Sequence, residues 1–305
     1  MTIRTYCAFA KKRLTSRCIS PYVNRSRALR NLCKSASKKC RHIDLRNDIV
    51  DNHKAMIAAH WIKEGDRVLD VGVNLAAYTF FYSKLVGDKG EVIGFEANPY
   101  LIEEIHKKVE KEGASNIKIL ERAASNISGE TLSMRVYKNP DHPQIGLSTL
   151  EADLMGKERM PGETELVHVQ SQTLDDLDLP ITFLKVDVEG HEQAVFEGAQ
   201  KLLRKYRPLV LFEYGFDQKG FQTNSIATLE QVGYCCYDLV TNKRVRPGYA
   251  ISITDILAVP EEEKKLPLLL DRLYCPYPLM SILSENIKQL VTETLHKVQS
   301  KCWRK

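Results

Sequence analysis

The chain has 305 residues, of which 43% are hydrophobic and 27% charged, the balance of a globular protein with room for one extended α/β domain or two small domains. No apolar run approaches the roughly 18 residues that a membrane span needs, and the N-terminus lacks the apolar stretch of a secretory signal. The net charge of +5 originates in residues 1–43, which contain 12 Lys and Arg and no acid, so residues 44–305 carry a net charge of −7.

The basic segment 1–43 is interpreted in three ways. It is a flexible cationic tail, an electrostatic anchor for an anionic surface, or an organelle transit peptide, since such peptides are rich in Arg and Ser and poor in acids. The segment lacks interleaved aromatic residues and any RNA-binding signature, so no specific nucleic-acid partner is predicted.

Eight cysteines are present, and none forms a Cys-x-x-Cys pair that would support a zinc site. Without a secretory signal they are interpreted as mostly reduced thiols. The predicted location is the cytoplasm, with an organelle as the alternative that the basic N-terminus leaves open. The sequence does not indicate an oligomeric state.

The apolar pattern predicts a domain over residues 44–260 in which strands and helices alternate. A helix over 52–62 comes first, and a strand at 67–73 then leads into a helix at 77–86. A strand at 90–97 precedes a helix that Asn98 and Pro99 begin and Gly113 ends, because Asn caps helices and Pro suits their first position. This order, followed by a strand at 116–125, is typical of an α/β fold with a mostly parallel sheet covered by helices.

The second half of the chain continues the pattern. It predicts strands at 130–138 and 165–174, the apolar strand "FLKVDV" from 183 and one helix whose apolar face runs from Val195 to Tyr206. A strand at 209–215, a helix near 224–233 and late strands at 235–241 and 251–260 follow. Residues 139–163 are predicted to form a long functional loop, and 261–305 a C-terminal helical extension with a helix over 281–300.

The turn "DVGVNLAAYT" (70–79) lies at the carboxyl end of the first predicted strand, where open α/β sheets bind ligands. A dinucleotide fingerprint would place glycines at Gly72, Asn74 and Ala77, and only the first is glycine. Asp70 would also repel a pyrophosphate by roughly 4 kcal/mol at 4 Å and an effective dielectric near 20. An NAD-dependent oxidoreductase is therefore the alternative, and a cationic ligand without phosphates fits better.

S-adenosylmethionine has an ammonium, a sulfonium and a ribose diol. Asp70 is predicted to accept from the ammonium directly or through water, Gly72 to let the chain approach the ligand, and Glu96 to accept both ribose hydroxyls. Each acid alone also has an ordinary structural interpretation, for example as a helix cap. Their combination at successive strand ends favours the cofactor.

The motifs "DVGVNLAAYT", "GEVIGFEANP", "IGLSTL", "TLDDL" and "FLKVDVEGHE" occur in an order that resembles the FkbM family of S-adenosylmethionine-dependent methyltransferases, over roughly residues 66–215. The resemblance implies a Rossmann-like class I methyltransferase fold that acts on a hydroxyl of a small-molecule, sugar or lipid-like acceptor. It implies a cofactor site and, farther along the chain, a reaction centre and a substrate loop. The implied cofactor residues are Asp70, Gly72, Asn74, Glu96 and Ala124. The implied reaction centre contains Asp187, Glu189 and His191, and the implied substrate loop contains Ser148 and Thr149.

Methyl transfer to an alcohol releases a proton, and a positioned base accelerates such a step by about 10²–10⁴-fold. Asp187 and His191 are the candidates for that base. The sequence lacks the Asn/Asp-Pro-Pro-aromatic motif of amine-directed methyltransferases, which favours oxygen as the acceptor atom. Two carboxylates, Asp187 and Glu213, are too few to assign a metal.

The family has Gly where this chain has Ala76. The β-carbon at this position either crowds the methionine part of the cofactor or is harmless. The first case leaves a non-catalytic, methyltransferase-like binding protein as a further alternative.

Overall fold

The computed structural model describes residues 54–263, apart from 143, 152–159, 161, 216–223, 240, 242 and 249–252. The strands are β1 Arg67–Val71, β2 Glu91–Phe95, β3 Ile117–Leu120, β4 Ala123–Ala124, β5 Thr131–Tyr137, β6 Thr164–Gln172, β7 Phe183–Val186, β8 Leu209–Gly215, β9 Tyr234–Asp238, β10 Lys243–Val245 and β11 Ile253–Pro260. The helices are α1 over 54–61, α2 Ala77–Val86, α3 Pro99–Glu112, α4 Glu192–Glu197, α5 Gln200–Tyr206 and α6 Ser225–Gln231. Two 3₁₀ helices are Ile145–Leu147 and Leu174–Leu177.

Eight strands form the main sheet, in the order β10-β9-β11-β8-β7-β1-β2-β3. The five strands from β8 to β3 are parallel to one another, and β11, β9 and β10 extend the sheet by antiparallel pairing. The chain runs from β1 outward to β3 and later places β7 on the other side of β1. The order therefore reverses between β1 and β7, the position at which open α/β sheets leave a ligand crevice.

Helices cover both faces of this sheet, as the sequence predicts. Side chains of α1 and α2 pack with Val68, Phe183 and Leu211 on one face. On the other face, helices α4, α5 and α6 pack on the strand residues that alternate with the first set. Leu69, which follows Val68, and Leu184, which follows Phe183, are examples. The alternation follows from the two-residue period of a strand, and it makes the sheet a Rossmann-like α/β fold.

The predicted helix after Asn98 is confirmed, and its ends have the expected chemistry. The Asn98 side chain accepts a hydrogen bond from the Tyr100 N–H, and Pro99 occupies the first helical position. Gly113 closes the helix in a left-handed conformation at φ 61°. The chain then turns back to enter β3.

Two predicted elements are each divided in the structure. The single strand expected over 116–125 breaks at the exposed residues Glu121 and Arg122, and β4 pairs with β6 in a separate three-stranded sheet, β4-β6-β5. The single helix expected over the Val195–Tyr206 face breaks near Gly198. There the backbone passes so close to Ser125 that a β-carbon would lie 2.1 Å from the Ser125 carbonyl oxygen.

Several predictions fall outside the described residues: the basic segment 1–43, the helix over 281–300 and the middle of the 139–163 loop. The proposed boundaries 44–260 and 261–305 therefore stay predictions. None of the helices within the described part of the chain is long and apolar enough to cross a membrane.

Candidate functional site

A cavity opens at the carboxyl ends of β1, β2 and β7, beside the point where the strand order reverses. The turn after β1, the loop after β7 and the segment around the first 3₁₀ helix form its walls, while the second sheet closes one side. The lining residues are Val71, Gly72, Asn74, Phe95, Glu96, Ala97, Leu101, Arg122, Ala123, Ala124, Met134, Ile145, Gly146, Ser148, Leu150, Asp187, Val188 and Glu189.

Gly72 allows the turn after β1 to pass against the start of the loop after β7. Its φ of +82° lies in the region that favours glycine, and a β-carbon there would be 1.8 Å from the carbonyl oxygen of Asp187. The turn continues through Asn74, which also has a positive φ of 52°. Gly72 and Asn74 both line the cavity.

Asp70 is not among the residues that line the cavity, so its predicted contact with the cofactor, direct or through water, stays a prediction. It lies inside β1 on the face covered by α2 and is fully buried. Its Oδ2 accepts a hydrogen bond from the Thr79 hydroxyl at 2.7 Å, and its Oδ1 lies 3.3 Å from the Lys185 ammonium. Through these two contacts Asp70 supports the turn from beneath.

Glu96 follows β2 and lines the cavity with a carboxylate that already accepts three backbone N–H groups. Oε2 accepts from Asn74 at 2.8 Å, and Oε1 accepts from Ala97 at 3.0 Å and from Asn98 at 2.9 Å. A carboxylate offers about four acceptor positions. The geometry leaves one of them for a ribose hydroxyl, on Oε2, rather than the two that the sequence prediction requires.

Burial is the largest influence on Glu96 and raises its pKa, while the three N–H groups lower it. The turn and the carboxylate therefore stabilise each other. The Asn74 N–H stabilises the carboxylate, and the carboxylate holds the turn in its left-handed conformation.

Ala124 and Ser148 line the cavity, whereas Thr149 does not. Ala124 in β4 is nearly buried, and Ser148 donates to the Ile145 carbonyl and accepts from the Asn98 side chain. The Thr149 hydroxyl donates to the Glu189 carbonyl at 2.8 Å, so this side chain joins the two walls of the cavity. A direct substrate contact through Thr149 is therefore not supported by its geometry.

Asp187 and Glu189 come from the loop after β7, and both line the cavity. Asp187 has 35% of its side chain exposed, and its Oδ2 lies 3.4 Å from the Lys185 ammonium. Burial alone would raise the pKa of Asp187, but Lys185 and Lys54 outweigh it, so that the pKa lies below its ordinary value. Asp187 is therefore an ionised carboxylate at neutral pH with access to the cavity.

His191 is not among the residues that line the cavity, so its place at the reaction centre stays a prediction. Its Nδ1 lies 2.6 Å from Glu151 Oε1, and its Nε2 lies 3.0 Å from the Ser125 hydroxyl. Both ring nitrogens therefore contact protein partners. His191 instead joins the start of α4 to the segment that carries Ser148.

A row of charged side chains lies beneath α1 and α2 at the carboxyl ends of the central strands. Asp70 and Lys185 are opposite each other in β1 and β7, and Glu213 and Asp255 are opposite each other in β8 and β11. Lys54 of α1 pairs with Asp255 at 2.7 Å. Burial first, and then Asp187, Asp255 and Glu192, raise the pKa of Glu213 to about 8.

Among the described residues, the carboxylate oxygens of Asp187, Glu189 and Glu213 lie within 4.8 Å of one another. A cation already faces this group, because the Lys185 ammonium is 3.4 Å from Asp187. We therefore assign no metal to the site.

Sequence reasoning missed Glu192, a buried carboxyl group behind the cavity loop. Burial raises its pKa to about 7, although the N–H groups of Val188 and Gly190, which donate to its Oε1, favour the ionised form. Because the folded chain holds this proton more tightly than the unfolded chain, this carboxyl lowers stability as the pH rises from about 4.5 to about 7. Above about pH 7 the loss of unfolding free energy is complete.

Replacing Glu192 by glutamine is therefore expected to stabilise the chain selectively at high pH. The glutamine side chain keeps an acceptor oxygen but cannot ionise. The free energy of unfolding relative to the native chain should rise by about 2–3 kcal/mol between pH 5 and pH 8, as urea denaturation measures. Glu112→Gln on the exposed end of α3 should show no such trend, and an equal stability difference at both pH values for Glu192→Gln would contradict the assignment.

Arg122, Met134 and Leu150 also line the cavity without any signal in the sequence. They reach it because the second sheet folds over the carboxyl end of the first. Their placement follows from tertiary packing, and no local sequence pattern indicates it.

Ala76 does not line the cavity. It is fully buried in a cluster with Val73, Leu101 and Ile105, and it has a left-handed φ of 62° just before α2. The β-carbon thus packs against α3 rather than into the space where a cofactor would lie.

Comparison with known proteins agrees with this geometry. Residues 70–236, more than half of the chain, match the sequence model of the "Methyltransferase FkbM domain". The chain is also 30% identical over 91 residues to a protein-L-isoaspartate O-methyltransferase of Methanococcus aeolicus. That alignment covers 30% of this chain and 42% of the relative, so the two share only part of their lengths.

Solved structures of methyltransferases are similar at low identity. A SAM-dependent methyltransferase from Aquifex aeolicus is 16% identical, with a TM-score of 0.37 over 71% of this chain and 93% of its own. A methyltransferase FkbM from Methylobacillus flagellatus is 13% identical, with a TM-score of 0.39 over 75% and 59% of the two chains.

Proposed function

The chain belongs to the FkbM methyltransferase family, and we propose that it transfers the methyl group of S-adenosylmethionine to a hydroxyl oxygen of a small-molecule, sugar or lipid-like acceptor. The domain is of the S-adenosylmethionine-dependent kind. The acceptor atom and the residues that serve it are the proposal. The observation that carries it is an ionised carboxylate, Asp187, in the cavity beside the Gly72 turn.

The cavity suits a cationic nucleoside better than a dinucleotide. Asp187 and Glu189 are acidic, and Glu96 has one acceptor position left for a ribose hydroxyl. A pyrophosphate in the same place would meet these three carboxylates against one cationic lining residue, Arg122, and be repelled on balance. These features support S-adenosylmethionine as the ligand and disfavour NAD, the alternative that the sequence raised.

When bound, S-adenosylmethionine supplies an electrophilic methyl group on a sulfonium leaving group. Transfer to a hydroxyl would form the bond from methyl carbon to oxygen as the carbon–sulfur bond broke, and would leave S-adenosylhomocysteine and one proton. We assign that proton to the Asp187 carboxylate. The walls of the cavity fix the orientation of the reactants, which alone contributes about 7–11 kcal/mol in well-oriented reactions.

Oxygen is favoured over nitrogen as the acceptor atom for two reasons. Residues 188–191 read Val-Glu-Gly-His, not the motif of amine-directed methyltransferases. An alcohol also needs a base, and Asp187 is a carboxylate held in the ionised state. The name of the partial relative, an O-methyltransferase, supports the same acceptor atom.

Calorimetry with S-adenosylhomocysteine and the full chain tests cofactor binding, with a fluorescence titration with NADH as the comparison. We expect S-adenosylhomocysteine to bind and NADH not to. Incubation of cell extract with the chain and isotope-labelled S-adenosylmethionine, followed by mass spectrometry, then identifies the acceptor. A label on nitrogen or carbon would overturn the oxygen assignment. S-adenosylhomocysteine binding without any labelled product would point to a binding protein.

A further inference from the structure

Lys185 is a lysine in the middle of the buried strand β7. Its neighbours Leu184 and Val186 are fully buried, and Lys185 itself is only 5% exposed. Lysine is almost never this deeply buried without partners. In the paired strands it is opposite Asp70 of β1, so its side chain lies on the face beneath α2.

Three acceptors surround the Lys185 ammonium, and each comes from a different part of the site. It donates a hydrogen bond to the Gly72 carbonyl at 3.1 Å, in the turn after β1. It also lies 3.3 Å from Asp70 Oδ1 and 3.4 Å from Asp187 Oδ2. An ammonium group has three N–H donors, so one side chain can serve all three partners.

We infer that Lys185 is a positioning residue of the methyl-transfer site, whose ammonium joins the Gly72 turn to the Asp187 carboxylate. Asp70 is the buried counter-charge that holds Lys185 in place. The catalytic part of this inference rests on the proposed function, whereas the link between Lys185 and Asp187 does not. Lys185 acts through Asp187 and does not itself line the cavity.

The charges around Asp187 explain why this lysine matters. Burial works against the ionised form of Asp187, and two cations lower its pKa. Lys185 has the larger influence of the two, and the other, Lys54, also pairs with Asp255. The titratable and charged groups that face Asp187 or its ammonium partner come from every element packed around them. They are Lys185 and Asp70 from the central strands, Lys54 of α1, Tyr78 and Tyr82 of α2, Glu189 in the loop, Glu192 of α4 and Glu213 of β8.

A simpler role for Lys185 would be to neutralise the buried Asp70 and nothing else. Lys185→Met alone cannot separate the two roles, because it leaves Asp70 as an uncompensated buried charge and destabilises the fold. The double variant Lys185→Met with Asp70→Asn removes both charges and keeps an oxygen for the Thr79 hydroxyl. A purely neutralising lysine would become dispensable in this variant.

The test measures the Asp187 carboxyl directly by ¹³C NMR titration in the full chain, with the resonance assigned by its loss in Asp187→Asn. We expect the double variant to fold, and the titration midpoint of Asp187 to move up by about one pH unit or more relative to the native chain and to Asp70→Asn. An unchanged midpoint would overturn the inference. If the methionine variant does not fold, Lys185→Gln with Asp70→Asn, which retains a donor for the Gly72 carbonyl, replaces it.

The rate of labelled-methyl incorporation in extract gives the second readout. The acid limb of its pH profile should move upward in the double variant by the same amount as the NMR midpoint, while S-adenosylhomocysteine affinity changes by only a few fold. Recovery of the native profile in the double variant would show a neutralising role and overturn the inference. If the native chain incorporates no label, the proposed function fails, and the NMR titration still decides the role of Lys185.

Discussion

Asp187→Asn is expected to lower the rate of methyl transfer by about 10²–10⁴-fold, the usual contribution of a positioned base. Asparagine preserves the size of the side chain but cannot accept the hydroxyl proton. The affinity for S-adenosylhomocysteine, whose sulfur is uncharged, should change by only a few fold. The affinity for the sulfonium form should fall further, because Asp187 is an anion in the same cavity. Incorporation of labelled methyl and calorimetry with the two ligands measure these effects.

Asp88→Asn is the matched control for this substitution. Asp88 is exposed in the turn before β2, at the amino ends of the strands, whereas the cavity lies at their carboxyl ends. Neither the rate nor the affinity should therefore change. An Asp187→Asn chain that retains native turnover would remove Asp187 from the role of base. Loss of S-adenosylhomocysteine binding together with turnover would instead show that Asp187 serves the cofactor.

The fold follows from local sequence patterns to a large extent. The order of β1, α2, β2 and α3 was predictable because each element carries its own signals, such as the apolar strand 67–71 and the Asn98-Pro99 start of α3. The breaks near Glu121 and at Gly198 were not predictable in the same way. Both depend on contacts with segments distant in sequence, β6 in the first case and Ser125 in the second.

The site was predictable where backbone position decides it and less so where side-chain direction does. Gly72 and Glu96 follow strand ends, and strand ends in a parallel sheet meet at one edge, so both line the cavity. The direction of the Asp70 side chain was harder to predict, because Asp70 is one residue before the end of β1 and the alternation of a strand turns it beneath α2.

Lys185 and His191 show that a local motif does not reveal which distant residues its side chains contact. "FLKVDVEGHE" displays both residues, but their partners lie far away in the chain, at Asp70 and Gly72 for Lys185 and at Ser125 and Glu151 for His191. A lysine inside an apolar strand was the one available signal. It indicates a buried counter-charge, since a lone ammonium in that position would be strongly disfavoured.

Gly72→Ala should abolish detectable S-adenosylhomocysteine binding and lower the free energy of unfolding by about 2–5 kcal/mol. The substitution combines two effects: a left-handed backbone costs an alanine about 1–2 kcal/mol, and overpacking typically costs a further 1–3 kcal/mol. The added β-carbon would lie 1.8 Å from the Asp187 carbonyl oxygen, so the turn and the loop after β7 must separate. Calorimetry and urea denaturation measure the two losses.

Gly129→Ala separates strain from collision. Gly129 has a φ of +81°, nearly that of Gly72, but no atom lies within 4 Å of the position that an added β-carbon would take. Only the backbone strain of about 1–2 kcal/mol should therefore appear, with cofactor binding intact. Equal losses in the two variants would mean that backbone strain alone explains Gly72. Native binding in Gly72→Ala would mean that the turn after β1 and the loop after β7 need not approach this closely. The cavity that these two segments line would then be the wrong site for the cofactor.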